Sequence, residues 1–166
     1  MVELRGLTPD DAPFVARIYS GASVRFTHGE GYQMPVEDAV VRLARIRDED
    51  HAEPRDHWSL GIAVAGDLIG LVKCRRQDEC TAALSYILRE DTWGRGHATD
   101  AVRQFVPLVF AEAALERLEA KHHPDNPASG RVLAKAGFTR IGTVDLHVGD
   151  GQPVPYPVYE LHRRTS

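Results

Sequence analysis

Hydrophobic positions along the chain switch repeatedly between a helical and an extended period. Leu4 to Leu7 reads as a short strand, and Thr8-Pro9-Asp10-Asp11 then offers hydroxyl and carboxylate caps to a helix carrying Phe14, Val15, Ile18 and Tyr19 on one face. A glycine-rich stretch from Gly21 to Gly31 separates this from a second helix. That helix opens at Met34-Pro35-Val36-Glu37-Asp38 and repeats Ala39, Val40, Leu43 and Ile46 at helical spacing. The run Asp48-Glu49-Asp50-His51-Ala52-Glu53-Pro54 predicts a polar loop after it. The period then shortens. Trp58 to Val64 and Leu68 to Cys74, joined by Ala65-Gly66-Asp67, predict a β-hairpin, and a polar turn from Arg75 to Glu79 leads into a strand from Ala82 to Leu88. A helix follows from Thr99 to Ala114 with Val102, Phe105, Val106 and Val109, and Pro107 inside it removes a backbone donor and predicts a kink near Arg103. Leu115 to Lys121 predicts a strand, Asn126 to Ala136 a short helix closed by Gly137, and Phe138 to Val144 and Val154 to Leu161 two final strands. Pro153, Pro155 and Pro157 alternate in the last segment, which predicts a sheet edge or an irregular start.

These elements, with no repeat and no linker among them, predict one domain over residues 1–166, because 166 residues at about 150 per domain leave no room for a second catalytic unit. At 43% hydrophobic and 27% charged, the chain can bury a sizeable core and fits neither disordered, collagen-like nor coiled-coil classes. Twenty Lys and Arg against 24 Asp and Glu give a net charge of −4, so no global positive field exists for a nucleic-acid backbone, and no nucleic-acid partner is expected. No run approaches the roughly 18 apolar residues that span a bilayer, and Met1-Val2-Glu3-Leu4-Arg5 lacks a signal peptide's apolar core. A cytoplasmic location without membrane association is expected, with monomer and homodimer both open. Cys74 and Cys80 show no CxxC spacing and no histidine at zinc-ligand spacing, and read as reduced thiols without a catalytic part.

Chemistry concentrates between the strand ending at Leu88 and the helix after it. Glycines at 94 and 96 allow a tight turn whose N–H groups converge at the positive end of the helix, an anion site suited to phosphate. Walker A chemistry needs Gly-Lys-Ser/Thr at the end of such a loop, and none is present. A Rossmann loop would find its ribose-binding acid at Glu116, about 20 residues beyond Gly96. Against that reading, the third glycine position holds Thr99, and the loop lies mid-chain behind a meander of strands.

Two blocks are more specific: Trp93-Gly94-Arg95-Gly96-His97-Ala98-Thr99-Asp100-Ala101, and Asn126-Pro127-Ala128-Ser129 continuing to Ala136-Gly137-Phe138. Together with Gly66-Asp67-Leu68-Ile69-Gly70 and Leu84-Ser85-Tyr86-Ile87-Leu88, they resemble the GNAT superfamily of acyl-CoA-dependent N-acyltransferases, and within it the RimJ/RimL-like branch, over nearly the whole chain. The resemblance implies an α/β (α+β) GNAT fold, with a mixed, mostly antiparallel central sheet and flanking helices. Its coenzyme cleft would open where Ala82–Leu88 splays away from Leu115–Lys121. It implies acetyl-CoA as cosubstrate and no metal. Backbone groups of Ile87, Leu88 and Arg89 would bind the pantetheine arm, the segment Gly94, Arg95, Gly96, His97, Ala98 and Thr99 the pyrophosphate, and the Asn126 amide the pantetheine amides. The implied activity is direct acetyl transfer to a primary amine, either a protein N-terminal α-amine or a small-molecule amine, with the acceptor site built by the 21–57 region and the 145–157 loop. A catalytically silent acyl-CoA-binding module is the alternative.

The chain departs from the family pattern twice. Trp93 stands where Arg or Gln usually begins the Arg/Gln-x-x-Gly-x-Gly/Ala loop, with Gly96 and Ala98 satisfying the rest. Many members also place a tyrosine four residues before the Gly-Phe pair, as acid for the leaving thiolate, and here that position is Leu133. Ser129, one helical turn after Asn126, is then the candidate catalytic residue, its hydroxyl donating to the developing thiolate. The general base is open among His28, Glu30, His57, His122 and His123. The last two point to opposite faces of a strand, do not chelate one metal together, and read as exposed strand-end residues. Asp48, Glu49 and Asp50 with Glu53 and Asp56 offer an acidic surface to draw a cationic amine. Phe26, Tyr32 and Trp58 either line an acceptor pocket or belong to the core.

Overall fold

Two consecutive left-handed residues, Ala65 (φ 50°) and Gly66 (φ 84°), make the tight turn that folds β2 (His57–Val64) back on β3 (Asp67–Arg76). Both central residues of such a turn need positive φ, and its twist matches that of the strands it joins. In the computed structural model, which describes residues 1–147 and 151–164, this hairpin is the middle of a seven-stranded sheet of order β1-β2-β3-β4-β5-β7-β6. The remaining strands are β1 (Glu3–Arg5), β4 (Thr81–Leu88), β5 (Arg117–Lys121), β6 (Thr139–His147) and β7 (Pro153–His162). All neighbours are antiparallel except β4 and β5.

That parallel pair is short. Thr81, Ala82 and Ala83 register with Arg117, Leu118 and Glu119, and beyond Ala83 the two strands part. The splay falls where the family resemblance implies, and it leaves the second half of β4 with one side unpaired.

Helices cover both faces. On one, α1 (Ala12–Ile18) and α3 (Val36–Asp50) bury Val15, Ile18, Ala39, Leu43 and Ile46 against Leu68 and Leu71. On the other, α4 (His97–Glu112) and α5 (Pro127–Lys135) bury Val102, Phe105, Val109 and Leu133 against Ile62, Ile69, Val72 and Leu84. Each such side chain contributes about 1.5–3 kcal/mol of burial. A single turn, α2 (Arg25–His28), lies in the glycine-rich stretch.

Four expectations are corrected. The run from Asp48 to Asp50 is the last turn of α3 rather than loop, supported by the Arg45–Glu49 pair (3.6 Å) and by the His51 ring bonded to the Arg47 carbonyl (2.8 Å). Phe14 is 40% exposed, on the outer side of α1. Helix α4 runs from His97 to Glu112 rather than from Thr99 to Ala114. The proline-rich strand β7 is interior, and β6 is the edge. The prolines are tolerated because β5 pairs only with residues 158–162 of β7. The Pro157 carbonyl faces His122 at the end of β5 (3.4 Å), so the nitrogens of Pro157, Pro155 and Pro153 point to the same side, increasingly beyond β5, where no ladder donor is needed.

Candidate active site

A cavity of about 350 Å³ opens at the splay, walled by Tyr86–Leu88 of β4, the loop from Trp93 to the first turn of α4, and one face of α5. Gly94 (φ 76°) and Gly96 (φ 80°) both hold the left-handed conformation, which L-residues adopt at a cost of about 1–2 kcal/mol. A Cβ at either would meet no protein atom within 4 Å, so the glycines serve backbone shape and leave open space above the loop. The first helical bond of α4 runs from the Asp100 N–H to the Gly96 carbonyl (3.1 Å). The N–H groups of His97, Ala98 and Thr99 therefore lie ahead of the helical ladder, at the positive end of a 16-residue helix. The Asp100 carboxylate is turned away onto the Val2 N–H (2.7 Å), keeping negative charge off this end.

Of the expected coenzyme residues, Ile87, Leu88, Gly94, Gly96, His97, Ala98, Thr99 and Asn126 line this cavity. Arg95 is exposed outside the lining, and Arg89 is committed elsewhere, its guanidinium clamped by Asp91 and by Asp67 (3.0 Å). Strand parity corrects the backbone assignment. The Arg89 N–H donates to the Ile69 carbonyl (2.7 Å), so Arg89 and Ile87 turn their peptide groups toward β3. Those of Tyr86 and Leu88 turn the other way, into the splay. The Leu88 carbonyl is already taken there by Ser23 Oγ (2.6 Å) and Trp93 Nε1 (3.1 Å). The free strand edge is thus Tyr86 and the Leu88 N–H. Asn126 is the N-cap of α5, yet its side chain makes no cap bond and remains available to the cavity. Sequence reasoning missed Arg131 and Lys135, which stand one helical turn apart on the same wall; their i, i+4 spacing beside Ala128 and Val132 was the signal.

Ser129 does face this cavity, and it is not alone. Its Oγ lies 2.7 Å from Tyr86 Oη, and its carbonyl accepts from the same hydroxyl at 3.1 Å. Burial pushes the Tyr86 hydroxyl up to about 12, against the opposing hydrogen bond from Ser129, and the neighbouring Tyr159 adds to the rise. At neutral pH Tyr86 therefore keeps its proton. Leu133, at the position of the family's usual tyrosine, is fully buried in the core. Behind the pair, Gly130 permits a close approach: a Cβ there would sit 2.6 Å from Tyr159 Oη and 2.8 Å from His122 Nε2.

On the other side of the splay a second cavity, of about 630 Å³, lies between α3 and the sheet. Ala83, Leu84 and Ser85 line it, so the two cavities open on consecutive residues of one strand. The expected acidic surface does not form its wall. Of those acids only Glu49 lines it, and Glu49 is engaged by Arg45 and by His57 (3.3 Å), while Asp50 pairs with Arg55 and Asp56 with Arg76. Trp58 is core, and neither Phe26 nor Tyr32 lines this cavity; they stack on His123 (4.1 Å) and His28 (4.4 Å).

Among the base candidates, His57 lines this second cavity, whereas His28 and Glu30 are exposed on the glycine-rich stretch. The adjacent histidines are not the exposed strand-end pair expected. His122 is 8% exposed, its Nδ1 bonded to the His123 carbonyl (2.8 Å) and its Nε2 facing Tyr159 Oη (3.4 Å). His123 accepts the Asp125 N–H on Nδ1 (3.0 Å). Cys74 is buried, and that burial holds its thiol up at about 12, which withholds a thiolate nucleophile. No group of three or more metal-ligating side chains occurs among the described residues.

The glycine loop, the splayed strand and the paired hydroxyls make a setting for acyl transfer from a phosphate-bearing thioester. The acetyltransferase (GNAT) domain family matches residues 2–139. The chain belongs to the GNAT acetyltransferase family. Among relatives of this GNAT domain, an uncharacterized N-acetyltransferase of Bacillus subtilis (strain 168), YoaA, is 24% identical over 161 residues, 95% of this chain and 91% of its own. The fold is shared with solved acetyltransferases. The microcin C7 self-immunity acetyltransferase MccE, in complex with acetyl-CoA and AMP, superposes with a TM-score of 0.82 at 17% identity, over 98% of this chain and 92% of its own. RimJ of Mycobacterium smegmatis, in complex with a CoA disulfide, does so with a TM-score of 0.78 at 23% identity, over 97% and 81%. This GNAT protein is accordingly an acetyl-CoA-dependent acyltransferase, and acetyl-CoA is its cosubstrate.

Proposed function

We propose that the protein moves an acetyl group from acetyl-CoA directly to a primary amine, with the coenzyme in the smaller cavity and the amine in the larger. The observation that carries this reading is that the two cavities are lined by consecutive residues of β4, Ser85 and Tyr86, beside a hydroxyl pair. The residues fit the coenzyme: the N–H groups of 97–99 and the cations Arg131 and Lys135 suit phosphates, and the free edge of Tyr86 and Leu88 suits an amide-bearing arm that adds to the sheet as a strand would. What acetyl-CoA supplies is an acetyl group already activated as a thioester.

The chain's own part is positioning and proton management. The amine nitrogen forms the new bond to the acetyl carbon, the carbon–sulfur bond breaks, one proton leaves nitrogen and one is needed at sulfur. Tyr86 Oη holds a proton beside the splay, and Ser129, bonded to it, fixes where that proton points. His57 is the histidine set to take the amine's proton, directly or through water, because it lines the acceptor cavity. An α-amine with a pKa near 8 is about a tenth neutral at pH 7, so it asks little of that base, whereas a lysine near 10.4 asks far more. The test is free-thiol release from acetyl-CoA across a panel of primary amines, with the acetylated product identified by mass. Amine-dependent thiol release supports the reading; acetyl-CoA binding without release in the presence of any amine contradicts it.

A further inference from the structure

The larger cavity carries a charge pattern that bears on the acceptor's chemistry, and the argument rests on the reading of that cavity as the acceptor site. Its wall holds Arg42, Arg45, Lys73, Arg75 and Lys121 against Glu49 and Glu119. Both acids are already engaged, Glu49 by Arg45 and His57, and Glu119 by Arg117 (3.1 Å). Among the described residues, Arg42, Lys73, Arg75 and Lys121 have no carboxylate partner. In a chain with a net charge of −4, four unpaired cations around one cavity form a local reversal of sign.

Register shows how they come together. Lys73 lies opposite both Ser59 and Ser85, and Arg75 opposite His57 and Ala83, so the two cations share one sheet face with residues that line the cavity. Arg42 hangs from α3 above them, its guanidinium 4.2 Å over the Tyr19 ring. A second, independent observation points the same way. Among the described residues, the buried side-chain polar atoms without any hydrogen-bond partner are Tyr19 Oη and Arg42 Nε, and both residues line this cavity. Tyr19 is only 6% exposed. Buried polar groups are almost always satisfied, and these two orphans add two unmet donors to the wall of the same cavity. A cationic acceptor would be repelled by the same wall.

We propose that the acceptor is a small amine that also carries an anionic group, carboxylate or phosphate, held by Arg42, Lys73, Arg75 and Lys121 while its amine reaches the splay at Ser85. The cavity, at about 630 Å³, has the size of sites that enclose small molecules.

The test pairs anionic amines with counterparts of similar size that are neutral at that position: O-phosphoethanolamine with ethanolamine, and β-alanine with β-alaninamide, alongside spermidine and an acidic tripeptide. Free-thiol release and calorimetric binding are measured for each. The expected result is a kcat/KM at least about tenfold higher, and tighter binding, for the anionic member of one pair or both, the two pairs separating phosphate from carboxylate. A Lys73→Met, Arg75→Met double variant should erase most of that preference, with acetyl-CoA affinity as the fold control; Lys73→Gln alone serves if the double variant does not fold. Equal or better use of the neutral members or spermidine overturns the proposal while leaving acetyl transfer intact, and so does a tripeptide that outperforms every small anion. If no amine releases thiol, acetyl transfer itself fails, and the calorimetric arm still decides whether the cavity prefers anions.

Discussion

The two cavities lined by consecutive residues of β4 are built by opposite means. The smaller one is largely backbone: two left-handed glycines, three N–H groups ahead of a helix, and a strand edge left free because β5 diverges after Ala83. The larger one is made of side chains drawn from α3, from Tyr19 at the end of α1 and from the five strands β2, β3, β4, β5 and β7, and its character is set by charge. A backbone site recognises what every member of a family shares, the phosphates and amides of one coenzyme. A side-chain site can be redrawn without touching the fold, and here its cations outnumber its carboxylates. Substitutions that strike the junction, the backbone site and the hydrogen bond behind the junction should therefore differ in kind as well as in size.

The largest effect belongs to the junction. Tyr86→Phe removes the proton-bearing hydroxyl and should lower kcat about a hundredfold with little change in acetyl-CoA affinity, as expected for loss of a positioned general acid. Steady-state kinetics beside calorimetry makes the split visible. Because burial holds this hydroxyl up at about 12, its proton is retained through pH 10, and the wild-type kcat should stay level between pH 8 and 10 rather than fall as an ordinary tyrosine ionises. A loss of coenzyme binding equal to the loss of kcat would make Tyr86 a wall of the cavity and nothing more.

Next comes the backbone site. Gly96→Val forces a β-branched residue to a φ of 80°, and the loop should leave the left-handed region, moving the N–H groups of the first turn of α4. Affinity for acetyl-CoA should fall about tenfold, read by calorimetry, and the melting temperature should fall by a few degrees through backbone strain, although the Cβ meets no protein atom.

The smallest of the three falls on the residue behind Tyr86. Ser129→Ala deletes one hydrogen bond, worth about 1 kcal/mol, and should lower kcat about fivefold. Ser129→Thr, which keeps the hydroxyl, should recover most of it. A merely structural serine would show no such rescue and would shift stability instead.

The contrast between the cavities also explains what was legible in the sequence. Gly94, Gly96 and the order of the meander announce themselves locally, since positive φ and strand–loop–helix order are written in adjacent residues, whereas the splay between Ala82–Leu88 and Leu115–Lys121 came only with the family resemblance. Ile87 and Arg89 were misassigned because facing alternates residue by residue along β4, and only the Arg89–Ile69 bond fixes the parity. The Tyr86–Ser129 pair escaped notice because its members lie 43 positions apart, on β4 and α5. The basic wall was invisible for the same reason: Arg42, Lys73, Arg75 and Lys121 are scattered along the chain, whereas the acids from 48 to 56 are contiguous. The clustered acids draw attention in the sequence, yet in the fold Glu49, Asp50 and Asp56 are paired with Arg45, His57, Arg55 and Arg76.

The central claim is that both cavities are filled at once and the acetyl group crosses β4 directly between them. Initial rates measured while acetyl-CoA and the amine are varied together test it most directly. Direct transfer in a ternary complex predicts intersecting double-reciprocal lines and no acetylated protein on rapid quenching. Parallel lines, with an acetyl group trapped on the enzyme, would contradict it.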